Sequence, residues 1–137
     1  MQLNPKLALE SGWLKPCEYT QVQQIGIDLS VERGVVLAAD EWQLVRLNEE
    51  FRLPPDVFAL LFPRSTMFRK GLVVECGVVE PGYVGRPVVA IHNRSDGKIS
   101  LPRGTRVVQA IFFRADAAST YKGSYQGEGL EAVGGEM

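Results

Sequence analysis

Residues 88–113 read VVAIHNRSDGKISLPRGTRVVQAIFF, and this stretch decides the fold class. Three apolar or alternating runs, Val88–His92, Lys98–Leu101 and Val107–Phe113, are separated by the turn sequences Ser95-Asp96-Gly97 and Pro102-Arg103-Gly104. Each run is too short for a typical helix and is rich in Val, Ile and Phe, so each predicts a β-strand. The stretch therefore predicts strands joined by tight turns.

The same pattern extends towards the N-terminus. Residues 5–13 predict a short helix ending at Gly12, and only strand-like runs follow. Many short strands at regular spacing predict an all-β sandwich, barrel or jelly roll. The five further strand-like runs are Ile25–Ser30, Gly34–Ala38, Trp42–Leu47, Val57–Phe62 and Leu72–Val74.

Composition predicts one soluble domain followed by a tail. The 137 residues are 45% hydrophobic and 23% charged, which is enough apolar material for a core without disulfides or metal. We predict a single domain over residues 1–116 and a flexible tail over residues 117–137, which are small, polar and glycine-rich. Such a tail is either disordered or a lid that orders over a ligand.

Charge and cysteine content exclude several classes. With 15 basic and 16 acidic residues there is no basic excess to indicate a nucleic-acid polymer as partner. The first sixteen residues contain no long apolar run, so we expect a cytoplasmic protein without signal peptide or membrane span. Cys17, Cys76 and His92 are too few for a four-ligand zinc site within one chain. This excludes the zinc-dependent mechanism of nucleobase deamination.

Residues 63–71, PRSTMFRKG, concentrate cations and hydroxyls directly after an apolar run. Arg64, Ser65, Thr66 and Arg69 carry the donors that hold phosphate oxygens. A helical turn starting near Ser65 would add backbone amides to an anion site. The alternative is a solvated basic loop with a helix N-cap at Ser65.

Residues 77–85, GVVEPGYVG, place the carboxylate of Glu80 on a tight turn at the end of an apolar strand. A carboxylate in this position can orient or deprotonate a water molecule. Tyr83 on the same turn can lie flat against a sugar and leave no room for a 2′-hydroxyl. The alternative is an ordinary hairpin turn with Tyr83 packed on the sheet and Glu80 in solvent.

Gln109 is the one polar side chain in the apolar run of residues 107–112. If Gln109 faces inward it needs a hydrogen-bond partner, which a ligand oxygen can supply. The alternative is that strand alternation turns it to water.

Taken in order, these segments resemble the motifs of the deoxyuridine triphosphatase and deoxycytidine triphosphate deaminase superfamily, over about residues 20–129. The resemblance rests on residues 24–29 with Asp28, residues 64–66 with Arg69, residues 80–85, residues 104–112 and residues 121–127.

The resemblance implies a distorted β-barrel or jelly roll assembled as a homotrimer, with active sites between subunits and the tail of one chain over its neighbours' sites. It also implies that Mg²⁺ is carried by the triphosphate, with little direct protein ligation. Glu80 takes the catalytic position and Asp28 is the acidic residue of the first motif. Phosphate contacts fall on Arg64, Ser65, Thr66, Arg69 and Gln109, and sugar or base contacts on Val79, Tyr83, Tyr125 and Gln126.

The chain departs from the resemblance at four positions. The deaminases use a glutamate where this chain has Ala90, and alanine cannot shuttle protons. Glu80 stands for an aspartate, Ser124 for a frequent lysine and Glu128 for a glutamine. Our leading hypothesis is therefore Mg²⁺-dependent hydrolysis of a deoxynucleoside triphosphate, dUTP to dUMP and pyrophosphate. The alternatives are dCTP deamination, with or without hydrolysis, and a catalytically silent nucleotide-binding or structural trimer.

Overall fold

The computed structural model of the chain describes residues 1–130, and the last seven residues of the predicted tail lie outside it. Two helices are present, α1 Pro5–Glu10 and α2 Ser65–Phe68. The strands are β1 Leu14–Lys15, β2 Gln21–Val22, β3 Ile27–Ser30, β4 Val35–Leu37, β5 Trp42–Arg46, β6 Glu50–Arg52, β7 Val57–Pro63, β8 Leu72–Glu75, β9 Val78–Val79, β10 Val84–Gly85, β11 Val88–Asn93, β12 Ile99–Leu101 and β13 Arg106–Arg114.

The strands form antiparallel sheets around one hydrophobic core. The largest sheet has the order β2-β3-β13-β7-β9, with the nine-residue β13 at its centre. A second sheet has the order β5-β11-β8, a third the order β1-β6-β10, and β4 pairs with β12. Within residues 1–130, no helix has the length and apolar character needed to cross a membrane.

The core follows from strand alternation. Along β11 the side chains of Val89, Ile91 and Asn93 are buried, while the intervening ones are partly exposed. The rings of Phe51 and Phe112 meet at 6.0 Å between centroids in the middle of the core. Complete burial of one large apolar side chain contributes about 1.5–3 kcal/mol, so the sheets are held together mainly by their inward faces.

The predicted strands and the all-β class are confirmed, since each of the eight runs contains a strand. The strands β1, β2, β6 and β10 were not predicted, because two or three residues carry no readable alternation. The predicted helix is shorter than residues 5–13. It begins at Pro5, where the side chain of Asn4 caps Lys6 N, and ends before Gly12, whose φ is 74°.

Candidate functional site

Asp28 is the centre of a polar cluster at the end of β7. Its side chain is buried, and its Oδ2 lies 3.1 Å from Arg64 Nε and accepts a 2.8 Å hydrogen bond from Gln23 Nε2. The amide of Gln109 makes a longer contact, 3.5 Å from Nε2 to Asp28 Oδ1. A carboxylate only accepts, so both amide nitrogens must face it. One buried charge therefore orients a guanidinium and two amides.

Arg64 is held on one edge and free on the other. Its Nε faces Asp28, and its Nη1 donates to the carbonyl of Arg106 at 3.3 Å. Its Nη2 has no hydrogen-bond partner within residues 1–130. A guanidinium fixed in this way presents its remaining donors in a rigid fork, the geometry that suits phosphate and carboxylate.

The Asp28 cluster opens into a cavity of about 320 Å³, which we call the cationic cavity. The hydroxyls of Ser65 and Thr66 have no partner in the part of the chain that the structure describes. Thr66 on α2 and Arg69 directly after it are exposed and do not line the cavity. The cavity is lined by Gln23, Asp28, Phe62, Pro63, Arg64, Ser65, Gln109 and Ile111.

The predicted helical turn is present as α2, but the alternative with Ser65 as its N-cap is wrong. The N-cap is Arg64, whose backbone is extended because it continues β7, and no side chain caps the helix. Ser65 is thus the first helical residue, and its hydroxyl remains available to a ligand. Gln109 is half-buried and faces Asp28. Alternation does turn it away from the buried Ala110 and Phe112, but on that face it lines the cationic cavity.

Gly26, a position that sequence reasoning did not single out, lies against Gln109. A Cβ at position 26 would lie 2.6 Å from the carbonyl oxygen of Ala110 and 2.7 Å from Cγ of Gln109. We expect Gly26→Ala to displace Gln109 and to lower the free energy of unfolding by about 1–3 kcal/mol, since overpacking forces backbone shifts. Urea denaturation and nucleotide affinity measure both effects.

The matched control is Gly34→Ala, where the nearest atom to an added Cβ is 3.6 Å away. It removes the same backbone freedom from the unfolded chain without a clash. Equal stability and equal nucleotide affinity in the two variants would contradict the proposed contact.

A second cavity of about 400 Å³ lies beside the turn between β9 and β10, and we call it the hairpin cavity. Glu80 lies on its rim with an exposed side chain and no carboxylate partner among residues 1–130. Val79 and Tyr83 line it with largely buried side chains, and Tyr83 meets the edge of Tyr121 at 5.5 Å. Tyr83 is thus packed on the sheet, as expected for an ordinary hairpin turn. It also forms one wall of the hairpin cavity.

Burial raises the pKa of two groups of this cavity, the hydroxyl of Tyr83 and the thiol of Cys76. Burial raises the pKa of the Tyr83 hydroxyl well above its ordinary value, and the hydrogen bond to Glu128 raises it further. Burial raises the pKa of the Cys76 thiol to about 11, and that thiol points at the carbonyl of Leu61, 3.3 Å away. At neutral pH both groups are therefore donors and not nucleophiles.

The tail up to Leu130 is attached to the turn of its own chain. The side chain of Gln126 accepts from Val84 N at 2.8 Å and donates to the carbonyl of Gly82 at 3.0 Å. Tyr121 N donates to the carbonyl of Pro81 at 2.7 Å. Residues 117–130 thus contact the turn of their own chain, and Tyr125 lies exposed at the cavity rim. The resemblance implied a tail over a neighbouring subunit's site, whereas these contacts fall within one chain.

The two cavities are separate within one chain and share no lining residue. Val79, beside Glu80, pairs with Ala59, and Arg64 comes five residues later along β7. At about 3.3 Å per residue the backbone at Val79 lies about 17 Å from the backbone at Arg64. One chain therefore does not bring Glu80 to the cationic cavity.

The side chains present fit a metal ion that arrives with its ligand. Residues 1–130 hold no group of three or more His, Cys, Asp or Glu side chains that could cage a cation. Mg²⁺ commonly keeps waters and binds through substrate phosphates with few protein ligands. The oxygens of a bound triphosphate would thus provide most of its coordination.

The strand order and the sheets define the structural class, an all-β protein with the dUTPase-like fold. The structure resembles that of a dUTPase of EIAV with a TM-score of 0.65 and 21% identity, over 81% of this chain and 96% of the other. This likeness confirms the expected fold.

The particular family follows from the sequence. Residues 18–115 match the family described as dCTP deaminase-like, and the chain belongs to this family. A dCTP deaminase of Pyrobaculum islandicum is 32% identical over 121 residues, which cover 88% of this chain and 68% of that protein. A probable deoxyuridine 5'-triphosphate nucleotidohydrolase of Aeropyrum pernix is 33% identical over 115 residues, which cover 82% and 72%.

Proposed function

We propose that the chain hydrolyses a deoxynucleoside triphosphate, dUTP in the first place, to the monophosphate and pyrophosphate. The observation that carries this proposal is Glu80, a carboxylate without a protein partner in the described chain, on the rim of the hairpin cavity. The strand that follows carries Ala90 where deamination would need a carboxylate. A relative named for each activity supports the general substrate class.

The backbone of β9 supports recognition of a pyrimidine. Leu61 N donates to the carbonyl of Gly77. The backbone N–H and C=O groups of residues 77 and 79 therefore point towards β7, and those of residue 78 point away from it. The N–H and C=O of Val78 therefore lie on the open edge of the sheet, beside the hairpin cavity. A donor and an acceptor side by side match the O4 and N3–H of uracil.

The remaining contacts divide between sugar and phosphates. Tyr83 would lie against the deoxyribose, with Tyr125 and Gln126 closing the tail over the ligand. Magnesium bound to the phosphates would neutralise charge as the pyrophosphate leaves. The phosphate oxygens would be held by Arg64, Ser65, Thr66, Arg69 and Gln109. We expect the protein to act in the cytoplasm.

In the proposed reaction Glu80 orients one water molecule and accepts its proton. The water oxygen forms a bond to the α-phosphorus, and the bond from that phosphorus to the bridging oxygen of the β-phosphate breaks. Pyrophosphate takes the electron pair of the broken bond. Positioning and charge neutralisation supply most of the rate enhancement in such displacements.

The separation of the two cavities supports active sites shared between neighbouring chains, as in the homotrimer that the resemblance implies. A triphosphate bound to the cationic cavity of one chain would reach Glu80 of a neighbouring chain and not its own. Active sites between subunits satisfy this requirement, and a cyclic trimer repeats the same contact three times.

The proposed function is tested with purified protein and Mg²⁺, incubated separately with dUTP and dCTP while pyrophosphate and ammonia are assayed together. Pyrophosphate from dUTP without ammonia from dCTP is the expected result. Ammonia from dCTP would instead establish deamination. Neither product, from folded protein, would favour the nucleotide-binding or structural role.

One observation favours deamination as the second candidate. Glu75 on β8 pairs directly with Ala90 on β11, and both line a third cavity with Trp42 and His92. Directly paired residues project from the same face of a sheet, with Cβ atoms about 5 Å apart. The neighbouring strand thus supplies a carboxylate near the place where the deaminases carry theirs.

If dCTP is deaminated, Glu75→Gln should abolish ammonia release, because an amide cannot carry protons between the attacking water and the ring nitrogen. Water would add to C4 of cytosine, and ammonia would leave from the same carbon. The matched control is Glu10→Gln, an exposed carboxylate at the end of α1 that does not line this cavity. Undiminished ammonia release from the Glu75 variant would exclude this residue.

A further inference from the structure

Glu128 connects the tail to Tyr83. The hydroxyl of Tyr83 donates to Glu128 Oε1 at 2.9 Å, and Glu128 Oε2 lies 3.9 Å from Arg46 Nη1. The side chains of Arg46 and Glu128 are each about a quarter exposed. Each carboxylate oxygen therefore has a partner. Tyr83 directly precedes β10 and Arg46 is the last residue of β5, so Glu128 connects two segments that belong to different sheets.

The backbone of the tail fixes Glu128 in this position. Its carbonyl accepts a 2.8 Å hydrogen bond from Arg86 N, and the preceding Gly127 donates to the carbonyl of Val84 at 2.7 Å. Arg86 Nη1 also donates to the carbonyl of Gly129 at 3.2 Å. These contacts place the backbone of residue 128 beside Tyr83, and the two contacts of the carboxylate complete the attachment of the tail.

The ring of Tyr83, in turn, is packed on both sides, but its hydroxyl depends on Glu128 for its polar contact. Tyr121 contacts it edge-on, and Gly85 leaves space for it, since a Cβ there would lie 2.5 Å from the hydroxyl oxygen. The bond to Glu128 is the one hydrogen bond of the Tyr83 hydroxyl within residues 1–130. Without that bond the buried hydroxyl would have no hydrogen-bond partner, which favours a shift of the ring away from Gly85 and towards the open hairpin cavity.

We propose that Glu128 is a positioning residue that makes selection of deoxyribose depend on a seated tail. Glu128 holds the Tyr83 ring against the position of the 2′-carbon, where a ribose hydroxyl would collide. The inference rests on the proposed function, because it assigns the hairpin cavity to the sugar. In this chain the tail therefore contributes to sugar specificity as well as to closure.

The experiment compares kcat/KM for dUTP and UTP in wild type, Glu128→Ala, Glu128→Gln and Tyr83→Phe. We expect Glu128→Ala and Tyr83→Phe each to lower the dUTP:UTP ratio by about tenfold, the scale of one lost hydrogen bond to a charged group. Glu128→Gln keeps an acceptor oxygen and should retain most of the ratio. The double variant Tyr83→Phe with Glu128→Ala should be no worse than either single variant.

Seating of the tail is measured separately by the rate of trypsin cleavage after Lys122, an exposed tail residue. Glu128→Ala should be cleaved faster than wild type at unchanged melting temperature. Faster cleavage with an unchanged dUTP:UTP ratio would overturn the proposal, as would equal losses in the alanine and glutamine variants. If wild type turns over neither nucleotide, the proposed function fails, and the ratio of dUTP and UTP dissociation constants still tests the role of Glu128.

Discussion

Replacing Glu80 by alanine should lower the rate of pyrophosphate release from dUTP by about 10²–10⁴-fold, the usual contribution of a general base. The affinity for dUTP should change little, because Glu80 is exposed and its carboxylate has no hydrogen bond or ion pair within residues 1–130. For the same reason the variant should unfold at the same urea concentration as wild type. Turnover by a coupled pyrophosphate assay and binding by calorimetry separate the two effects.

Three further variants sharpen the test of Glu80. Glu80→Gln keeps the shape but cannot accept a proton, so it should be as slow as the alanine variant. Glu80→Asp withdraws the carboxylate by roughly 1 Å, a displacement that can cost about 10²-fold in rate. Glu10→Ala removes an exposed carboxylate from the end of α1 and should change nothing. Normal turnover by Glu80→Ala would refute the assigned role.

Replacing Arg64 by alanine should impair both nucleotide binding and stability. The buried carboxylate of Asp28 would lose its charged partner, and breaking a largely buried ion pair costs on the order of 3 kcal/mol. The double variant Arg64→Ala with Asp28→Asn removes both charges and should recover most of the stability. It should not recover dUTP binding, because the free guanidinium edge is still missing.

Urea denaturation and dUTP calorimetry on wild type and the two variants measure this prediction. If the double variant is as unstable as Arg64→Ala, the ion pair is not the cause. If Arg64→Ala binds dUTP as wild type does, the cationic cavity is not the phosphate site.

The same two positions test the arrangement of sites between subunits. Glu80→Ala and Arg64→Ala should each be inactive, and a mixture unfolded and refolded together should regain about a quarter of wild-type activity. A shared site needs Arg64 from one chain and Glu80 from its neighbour. Each of these residues is present in half of the chains, so about a quarter of the sites are complete. No recovery from a mixture that forms mixed trimers would place both groups in one chain's site.

Much of the fold was accessible from local sequence, and particular strands show why. The run 107–113 is apolar, rich in Val, Ile and Phe, and bounded by a Pro-Arg-Gly turn, so its strand β13 follows from a few neighbouring residues. The strands β1 and β10 exist because β6 lies between them and pairs with both. Such short strands are stabilised by a partner distant in sequence, so no local sequence pattern predicts them.

The candidate site divides in the same way. The chemistry of residues 63–66 and of residues 80–83 is predictable from local sequence. The first segment places several phosphate donors side by side, and the second places a carboxylate on a turn. Gln23 and Gly26 were missed as site residues, since a glutamine and a glycine near a strand carry no chemical signal. Their roles depend on how β2 and β3 are placed against β13.

The sequence by itself therefore determined the all-β class, the strand-bounding turns and the candidate chemistry of Arg64 and Glu80. These properties depend on residues within a few positions of each other. Only the tertiary structure decided that Asp28 holds Arg64, that Glu75 faces Ala90 and that Glu128 holds Tyr83. Each of these pairs is set by strand register and chain path between distant segments, and a hydrogen bond or a shared sheet face exists only once that register is formed.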